Sequence, residues 1–266
     1  MKFEILLSII DKKENNEIYN HLKEKNITTD AIIVNQTNFD NVNKKYINGK
    51  NIYILNLNER GVGLSRNTAL QRTEADIILF ADDDEKFEDD YELKILNAFK
   101  NLPNADIILF NVKSNNPNRA AAKIKKIKKV HWYNSMKYGA YQIAVKVISI
   151  KKKRVTFSTL FGGGSKFGSG EDSLFLLDSL DAGLNIYTYP SQIATVEQKN
   201  STWFKGYNKK FFFDRGALFA SAFKFPKIIA LIQVFRKRNA YISRLSLYQQ
   251  YKYLCLGIEY FNKKYK

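Results

Sequence analysis

Cysteine, histidine and proline are all scarce in this chain. Of its 266 residues, one is cysteine (Cys255), two are histidine and four are proline. A single cysteine excludes an internal disulfide, so we expect a reducing compartment and not secretion. Long apolar runs are missing as well, because the N-terminal run at 5–10 is far shorter than the roughly 20 residues of a membrane span. These absences predict a cytoplasmic protein whose N-terminal run is a buried strand.

Acidic residues are also few relative to basic ones. There are 26 Asp and Glu against 43 Lys and Arg, which gives a formal net charge of +17. Such a surplus favours an anionic partner, and nucleic acid, anionic lipid and a phosphorylated substrate all remain open. The chain is also rich in Lys, Asn, Ile and Tyr, which base-composition bias can produce, so charge alone does not choose among these partners.

The first half of the chain alternates short apolar runs with helix-like stretches. The strand candidates are 4–10, 30–35, 51–55, 76–80 and 105–110, and the helix candidates are 15–26, 65–73 and 89–101, the second capped by Ser65. This alternation predicts an α/β domain with a largely parallel sheet. Ligands bind such sheets beyond the carboxyl ends of the strands. The polar residues at those ends are Asp11, Asn35, Gln36 and Asp82.

The C-terminal part of the chain is aromatic and basic. Between residues 223 and 266, ten Lys and Arg face one acid, Glu259. We therefore divide the chain into a domain at 1–203 and a helical appendage at 204–266. An amphipathic surface on an anionic membrane and a subdomain that packs its aromatics inward explain the appendage equally well. Nucleic-acid binding is disfavoured, because no recognised binding motif accompanies the charge.

Three consecutive aspartates, Asp82 to Asp84, directly follow the apolar strand at 76–80. Clustered carboxylates repel one another unless a cation neutralises them. A hard divalent ion such as Mg²⁺ or Mn²⁺ is commonly held by one or two carboxylates together with substrate phosphates. The motif therefore predicts a metal site, and the alternative is a solvated acidic turn that opens a helix.

Four motifs in order carry a family resemblance. They are Asn58-Glu59-Arg60-Gly61, Ser65-Arg66-Asn67, the strand ending in Asp82-Asp83-Asp84, and Gly170-Glu171-Asp172. Together they resemble the family 2 glycosyltransferases with the GT-A fold, over about residues 4 to 203. The resemblance implies a Rossmann-like, mostly parallel mixed sheet. It also implies inverting transfer from a nucleotide-sugar donor, with Mn²⁺ or Mg²⁺ on the diphosphate. We expect the donor to be a UDP-sugar.

The resemblance also implies roles for individual residues. The implied donor-binding residues are Ser8, Asp11, Asn35 and Gln36 for the nucleoside, Arg66 for the base or diphosphate, Asp82 for the ribose or the metal, and Asp83 as an accessory. Asp84 would be the principal metal ligand, with Asp82 beside it. Asp172 would be the catalytic base, with Glu171 as its neighbour.

This sequence departs from the family pattern in two places. Many members have Asp where Asn35 or Gln36 stands, which weakens the expected contact to uracil. The stretch 195–203 contains no His, although many GT-A enzymes place a third metal ligand there. Glu197 or Gln198 could supply an oxygen ligand instead.

The residues themselves argue for Asp172 as a base. Glycosyl transfer needs a carboxylate near the acceptor hydroxyl to take its proton, and the leaving diphosphate needs stabilisation of its charge. The alternative role for Glu171 and Asp172 is helix capping after a glycine. The preceding glycines at 162–164 permit a close-approach loop that could shape the acceptor pocket.

We therefore expect a hexosyl transfer to a saccharide or a lipid-linked saccharide in the biosynthesis of a bacterial surface polysaccharide. Peripheral contact of the C-terminal region with the inner face of the cell membrane would suit such an acceptor. Two alternatives remain: a nucleotidyl- or phosphosugar transferase on a similar fold, and a basic membrane- or nucleic-acid-binding protein that has lost catalysis.

Overall fold

The chain folds as a mixed β-sheet covered by helices, followed by three C-terminal helices. The computed structural model describes residues 1–116, 121–197, 206–236 and 243–266. The strands are β1 (Phe3–Ile10), β2 (Asp30–Gln36), β3 (Asn41–Ile47), β4 (Lys50–Leu57), β5 (Ile77–Asp82), β6 (Glu85–Phe87), β7 (Ile107–Ser114), β8 (Lys128–Lys129), β9 (Ile143–Lys146) and β10 (Ile186–Val196). The helices are α1 (Asn15–Glu24), α2 (Val62–Arg72), α3 (Tyr91–Asn101), α4 (Trp132–Ser135), α5 (Val147–Lys153), α6 (Glu171–Asp181), α7 (Lys209–Ala222), α8 (Pro226–Arg236) and α9 (Leu247–Tyr265).

The strand order in the described sheet is β3-β4-β2-β1-β5-β9-β7-β10-β6, with β8 paired to β10. Strands β4, β2, β1 and β5 are neighbours and run parallel, and β7 and β10 run in the same direction as these four. The remaining four strands run the opposite way. The predicted α/β fold with a mostly parallel mixed sheet is confirmed. The carboxyl ends of β1, β2, β4 and β5 therefore meet at one edge.

Two local predictions were wrong. The stretch 41–47, which was not among the strand candidates, is the edge strand β3, and it pairs antiparallel with β4 around a turn at Asn48 (φ +50°) and Gly49 (φ +79°). Its side chains are mostly polar and exposed, so it has no apolar period to detect. Ser65 does not cap α2, because the helix begins at Val62 after Gly61, and the Ser65 hydroxyl instead donates to the Gly61 carbonyl at 3.3 Å.

Helices cover both faces of the sheet and form two cores. On one face, Ile18 of α1 and Ile95 of α3 pack on the strands. On the other face, Leu70 of α2, Ile150 of α5 and Phe175 of α6 do so. Helices α2 and α6 are thereby held on the same side of the sheet.

The three C-terminal helices form a third core with part of the sheet domain. Phe161 and Phe167, which precede α6, pack in this core together with residues of α7, α8 and α9. Helices α7 and α9 cross closely, because a Cβ at Gly216 would lie 2.0 Å from the Leu254 carbonyl oxygen, and one at Gly257 would lie 1.9 Å from that of Phe213. No described helix is both long and apolar enough to span a bilayer. The predicted boundary at 203/204 lies outside the described residues.

Candidate active site

The three aspartates form the turn that joins β5 to β6. Strand β6 pairs antiparallel with β10, with Glu85 opposite Val196, so the turn is held at the edge of the sheet. The backbone N–H of Glu197 donates to the Asp84 carbonyl oxygen at 3.1 Å. The buried Glu85 carboxylate accepts from the Asp82 N–H at 3.2 Å. The acidic turn therefore leads into a strand, and not into a helix.

Arg66 joins this turn to the start of α6. Its guanidinium donates to Asp82 Oδ1 at 2.6 Å and to Glu171 Oε1 at 2.9 Å, and its side chain is only 3% exposed. The guanidinium also lies 5.3 Å from the centre of the Phe157 ring. Burial alone would lower the pKa of Arg66, but the charges of Asp82 and Glu171 raise it above its ordinary value. Arg66 is therefore a buried, charged link between the two acidic motifs.

The residue after Arg66 holds α2 against the segment that precedes the glycine-rich loop. The Asn67 side-chain amide donates to the Phe157 carbonyl at 2.9 Å, and its oxygen accepts from the Phe157 N–H at 2.8 Å. Gly63 allows the close contact, because a Cβ there would lie 2.3 Å from the Ser158 carbonyl oxygen. The Ser-Arg-Asn motif thus fixes both the position of α2 and the orientation of Arg66.

Glu171 and Asp172 form the first turn of α6. Gly170 precedes them at φ +118°, a conformation that favours glycine, and its N–H donates to Glu171 Oε2 at 3.1 Å. Asp172 accepts from the Ser173 N–H at 2.6 Å. Burial, and then the charge of Glu171, raise the pKa of Asp172 to about 7. A carboxyl group that titrates near neutrality is suited to accept a proton from a substrate.

Carboxylates outnumber cations around Arg66. Asp82, Glu85, Glu171 and Asp172 belong to the motifs that meet here, and Arg66 neutralises one equivalent of their charge. Burial, and then the charges of Asp82 and Asp84, raise the pKa of Glu85 well above its usual range. Glu85 Oε2 is buried without a hydrogen-bond partner. The site thus holds more carboxyl groups than cationic partners, and a bound cation would favour their ionised forms.

The carboxylates of the β5–β6 turn fit a hard divalent ion only in one mode of binding. In the described part of the chain, no three His, Cys, Asp or Glu side chains are grouped closely enough to hold a metal by themselves. One oxygen of Asp82 is held by Arg66. Asp84 and Asp82 therefore suit an ion that takes its remaining ligands from substrate phosphates. Glu197 lies beside Asp84, and Gln198 lies outside the described residues.

The predicted nucleoside-binding residues collect at the same edge of the sheet. Ser8 is the register partner of Asp82 on the neighbouring strand. Asp11 has φ +52° and is exposed, and it pairs with Arg60 at 2.7 Å. A second Arg60 nitrogen donates to the Gln36 carbonyl. Their roles in donor binding stay predictions, but the structure places these residues along the same edge of the sheet.

Asn35 and Gln36 are more deeply buried than a direct ligand contact would suggest. Asn35 donates to the Asn56 side chain at 2.7 Å and exchanges two hydrogen bonds with the Lys12 backbone. The Gln36 side chain accepts from the Gly61 N–H at 2.8 Å. Both amides hold the loops that follow β1 and β4, so they shape the edge at which a nucleoside would lie.

The glycine-rich loop contacts both the start of α2 and the acidic pair. Gly162 has φ +107°, and a Cβ there would lie 2.8 Å from Val62 Cγ1 and 2.9 Å from the Glu171 carboxyl carbon. The Val62 N–H donates to the Gly163 carbonyl at 2.9 Å. The loop is therefore packed directly against Glu171. Its role in an acceptor pocket stays a prediction.

Two residues of the site were missed by sequence reasoning. Glu85 adjoins the aspartate run, but its burial behind the turn depends on the pairing of β6 with β10. Phe157 stacks on Phe175 with 4.2 Å between ring centres and lies edge-on to Phe80 at 4.9 Å. The three rings form an aromatic cluster, and the Phe157 ring contacts the Arg66 guanidinium. Neither the sequence around Phe157 nor its spacing from Arg66 signals this contact.

Comparison with known proteins agrees with the family and the fold that the sequence motifs resemble. Residues 26–155 match the family model "Glycosyl transferase family 2". The fold is similar to the crystal structure of S. aureus TarS 1-349, with a TM-score of 0.56 and 17% identity over 100% of this chain and 73% of that one. The same protein in complex with UDP gives a TM-score of 0.59 and 20% identity over 94% of this chain and 77% of that one.

A third structure, S. aureus TarS 1-349 in complex with UDP-GlcNAc, gives a TM-score of 0.56 and 16% identity over 96% of this chain and 70% of that one. No curated protein matches the chain in sequence. The structural likeness, together with the mixed sheet, confirms the predicted GT-A fold. The match of residues 26–155 to the family 2 model confirms the resemblance that the motifs indicated.

Proposed function

We propose that this protein is an inverting glycosyltransferase that moves a sugar from a UDP-sugar to a saccharide or lipid-linked saccharide in bacterial surface polysaccharide biosynthesis. One observation carries the proposal: the buried guanidinium of Arg66 binds both Asp82 of the acidic turn and Glu171 at the start of α6. The family match and the likeness to TarS, which was crystallised with UDP and with UDP-GlcNAc, support a nucleotide-sugar donor.

Asp172 acts as the general base. Its carboxylate takes the proton of the acceptor hydroxyl as the new bond from that oxygen to the anomeric carbon forms. The bond to the diphosphate breaks on the opposite face, and UDP leaves with the electron pair, so the configuration inverts. Because burial raises the pKa of Asp172 to about 7, its ionised fraction increases through neutral pH. Glu171, held by Arg66 and the Gly170 N–H, fixes the start of α6 beside the base.

The acidic turn holds the donor end of the site. Asp84 is the principal protein ligand of Mn²⁺ or Mg²⁺, Asp82 is the second, and Asp83 is accessory. When bound, the ion supplies Lewis-acid stabilisation of the charge on the leaving diphosphate. Arg66 limits the rotation of Asp82, so this carboxylate is preoriented. The nucleoside lies along the strand ends, where Ser8, Asp11, Asn35 and Gln36 collect.

The proposal is tested by donor hydrolysis. The protein is incubated with a panel of UDP-sugars, with Mn²⁺ and with a chelator, and released UDP is measured. We expect one or a few donors to be hydrolysed only with metal, and Asp84→Ala to abolish the release. Asp181→Ala, an exposed aspartate at the far end of α6, is the matched control and should behave as the parent protein. Metal-independent hydrolysis that survives Asp84→Ala would contradict the proposal.

A further inference from the structure

One side of α8 exposes a row of large apolar side chains. They are Phe225, Ile228, Leu231, Ile232 and Phe235, with 62%, 57%, 45%, 46% and 58% of their surface exposed. We name this row the α8 stripe. Its members recur three or four positions apart, so they share one helix face. Single exposed apolar residues are ordinary, but a contiguous row marks a contact surface.

The α8 stripe is not the side by which the helix packs on the protein. Ala230 and Val234 are buried in the third core, on the other side of the helix. Gln233 accepts a hydrogen bond from Arg215 of α7 at 3.2 Å. The helix therefore already has its internal partner, and the stripe is an additional apolar surface that faces away from the bundle.

Along residues 223–236, the charged side chains that flank the α8 stripe are all basic. Lys224, Lys227 and Arg236 lie at its two ends and are exposed, and the sequence from 223 to 236 contains no acid. Lys227 makes an exposed ion pair with Glu259 of α9 at 3.0 Å. An apolar row bordered by cations matches the boundary between acyl chains and anionic headgroups. With 11 residues, α8 spans about 16 Å and is too short to cross a bilayer.

We propose that the α8 stripe docks this protein onto an anionic membrane surface, with α8 lying in the plane of the bilayer. Helix α8 packs on α7 and α9, which share a core with Phe161 and Phe167 of the segment that leads to Glu171. Docking through α8 would therefore hold the candidate active site at a constant position relative to the lipid. A constant position relative to the lipid would suit a lipid-linked acceptor, and only this last step rests on the proposed function.

Vesicle flotation of the full-length protein tests the docking. Vesicles of phosphatidylcholine alone are compared with vesicles that also contain phosphatidylglycerol, with no donor present. We expect binding to the anionic vesicles, and the double substitution Ile228→Ser and Ile232→Ser should weaken it about tenfold or more, since apolar burial is lost. Lys224→Gln should weaken it about fivefold. Ile148→Ser, on α5 and 73% exposed, is the matched control and should not change binding.

Two outcomes would overturn the docking proposal. One is the absence of binding to anionic vesicles, or binding that the stripe substitutions leave unchanged. The other is a dimer in light scattering that these substitutions convert to a monomer without any vesicle binding, because a second copy would then cover the stripe. Flotation is independent of UDP release, so failure of the docking and failure of the proposed transfer are distinguishable. Circular dichroism of the double variant checks that it is folded.

Discussion

The active-site edge of the sheet and the C-terminal helices use burial in opposite ways. At the edge, Arg66, Glu85 and Glu171 are withdrawn from water, which destabilises any charged group that lacks a partner. In the C-terminal helices the buried side chains are mostly apolar, and an apolar row remains exposed on α8. The difference indicates that the first region is adapted to hold charge for chemistry, and the second to pack and to present a surface.

The largest expected effect of any substitution is at Asp172. Asp172→Asn removes the proposed base and should lower kcat/KM for transfer by about 10²- to 10⁴-fold. In the parent protein, kcat/KM should increase with pH and level off above about 7, because the base must be ionised. Both are measured by UDP release with acceptor present. Normal transfer by Asp172→Asn would rule out this residue as the base.

The same variant should be more stable than the parent protein. The folded-state pKa of Asp172 is raised to about 7, above the value of an unfolded chain, so its ionisation destabilises the fold as pH increases. Asp172→Asn removes this penalty, and the gain in melting temperature should be larger at about pH 8 than at about pH 5. A gain that is equal at both pH values would show that ionisation of Asp172 does not destabilise the fold.

Arg66 tests how strongly the edge depends on a buried cation. Arg66→Ala leaves Asp82 and Glu171 without their partner, and it should lower the free energy of unfolding by about 3–5 kcal/mol. Arg60→Ala is the matched control, since its ion pair with Asp11 is largely exposed and should contribute about 0–1 kcal/mol. Urea unfolding measures both. Equal losses in the two variants would mean that the buried ion pairs of Arg66 contribute no more to stability than the exposed pair of Arg60.

The close crossing of α7 and α9 gives a smaller effect in the other region. Gly257→Ala places a Cβ against the Phe213 carbonyl and should lower the free energy of unfolding by about 1–3 kcal/mol, because the helices must separate. Gly168→Ala is the control, since its Cβ would meet only Asp214 Oδ2, at 3.5 Å. The folded Gly257→Ala protein should release UDP at nearly the rate of the parent protein. A neutral Gly257→Ala would show that the crossing is loose.

Glu85 should give the smallest effect. Glu85→Gln keeps an oxygen that accepts from the Asp82 N–H and removes a carboxyl whose pKa burial raises well above its usual range. We expect a change in the free energy of unfolding within about 1 kcal/mol, and Glu85→Ala to be worse by about 1–3 kcal/mol because the N–H loses its partner. Urea unfolding of the two variants measures both changes. A large loss in Glu85→Gln would show that the negative charge itself supports the turn.

Local patterns made much of the fold predictable. The strands at 4–10, 30–35, 51–55, 76–80 and 105–110 were found within a few residues of their observed bounds, because buried parallel strands are short apolar runs. Strand β3 was missed because its exposed polar sequence pairs only through its backbone. The pairing of β6 with β10, which buries Glu85, joins segments about a hundred positions apart, so no local pattern signals it.

The sequence by itself determined the alternating α/β pattern, the acidic turn after β5 and the Glu171-Asp172 pair, since each depends on neighbours along the chain. Tertiary structure decided which groups share the site. Arg66 reaches Asp82, 16 positions away, and Glu171, 105 positions away, only because α2 and α6 pack on the same face of the sheet. It also decided the pKa of Asp172, because burial and the charge of Glu171 are properties of the packed chain.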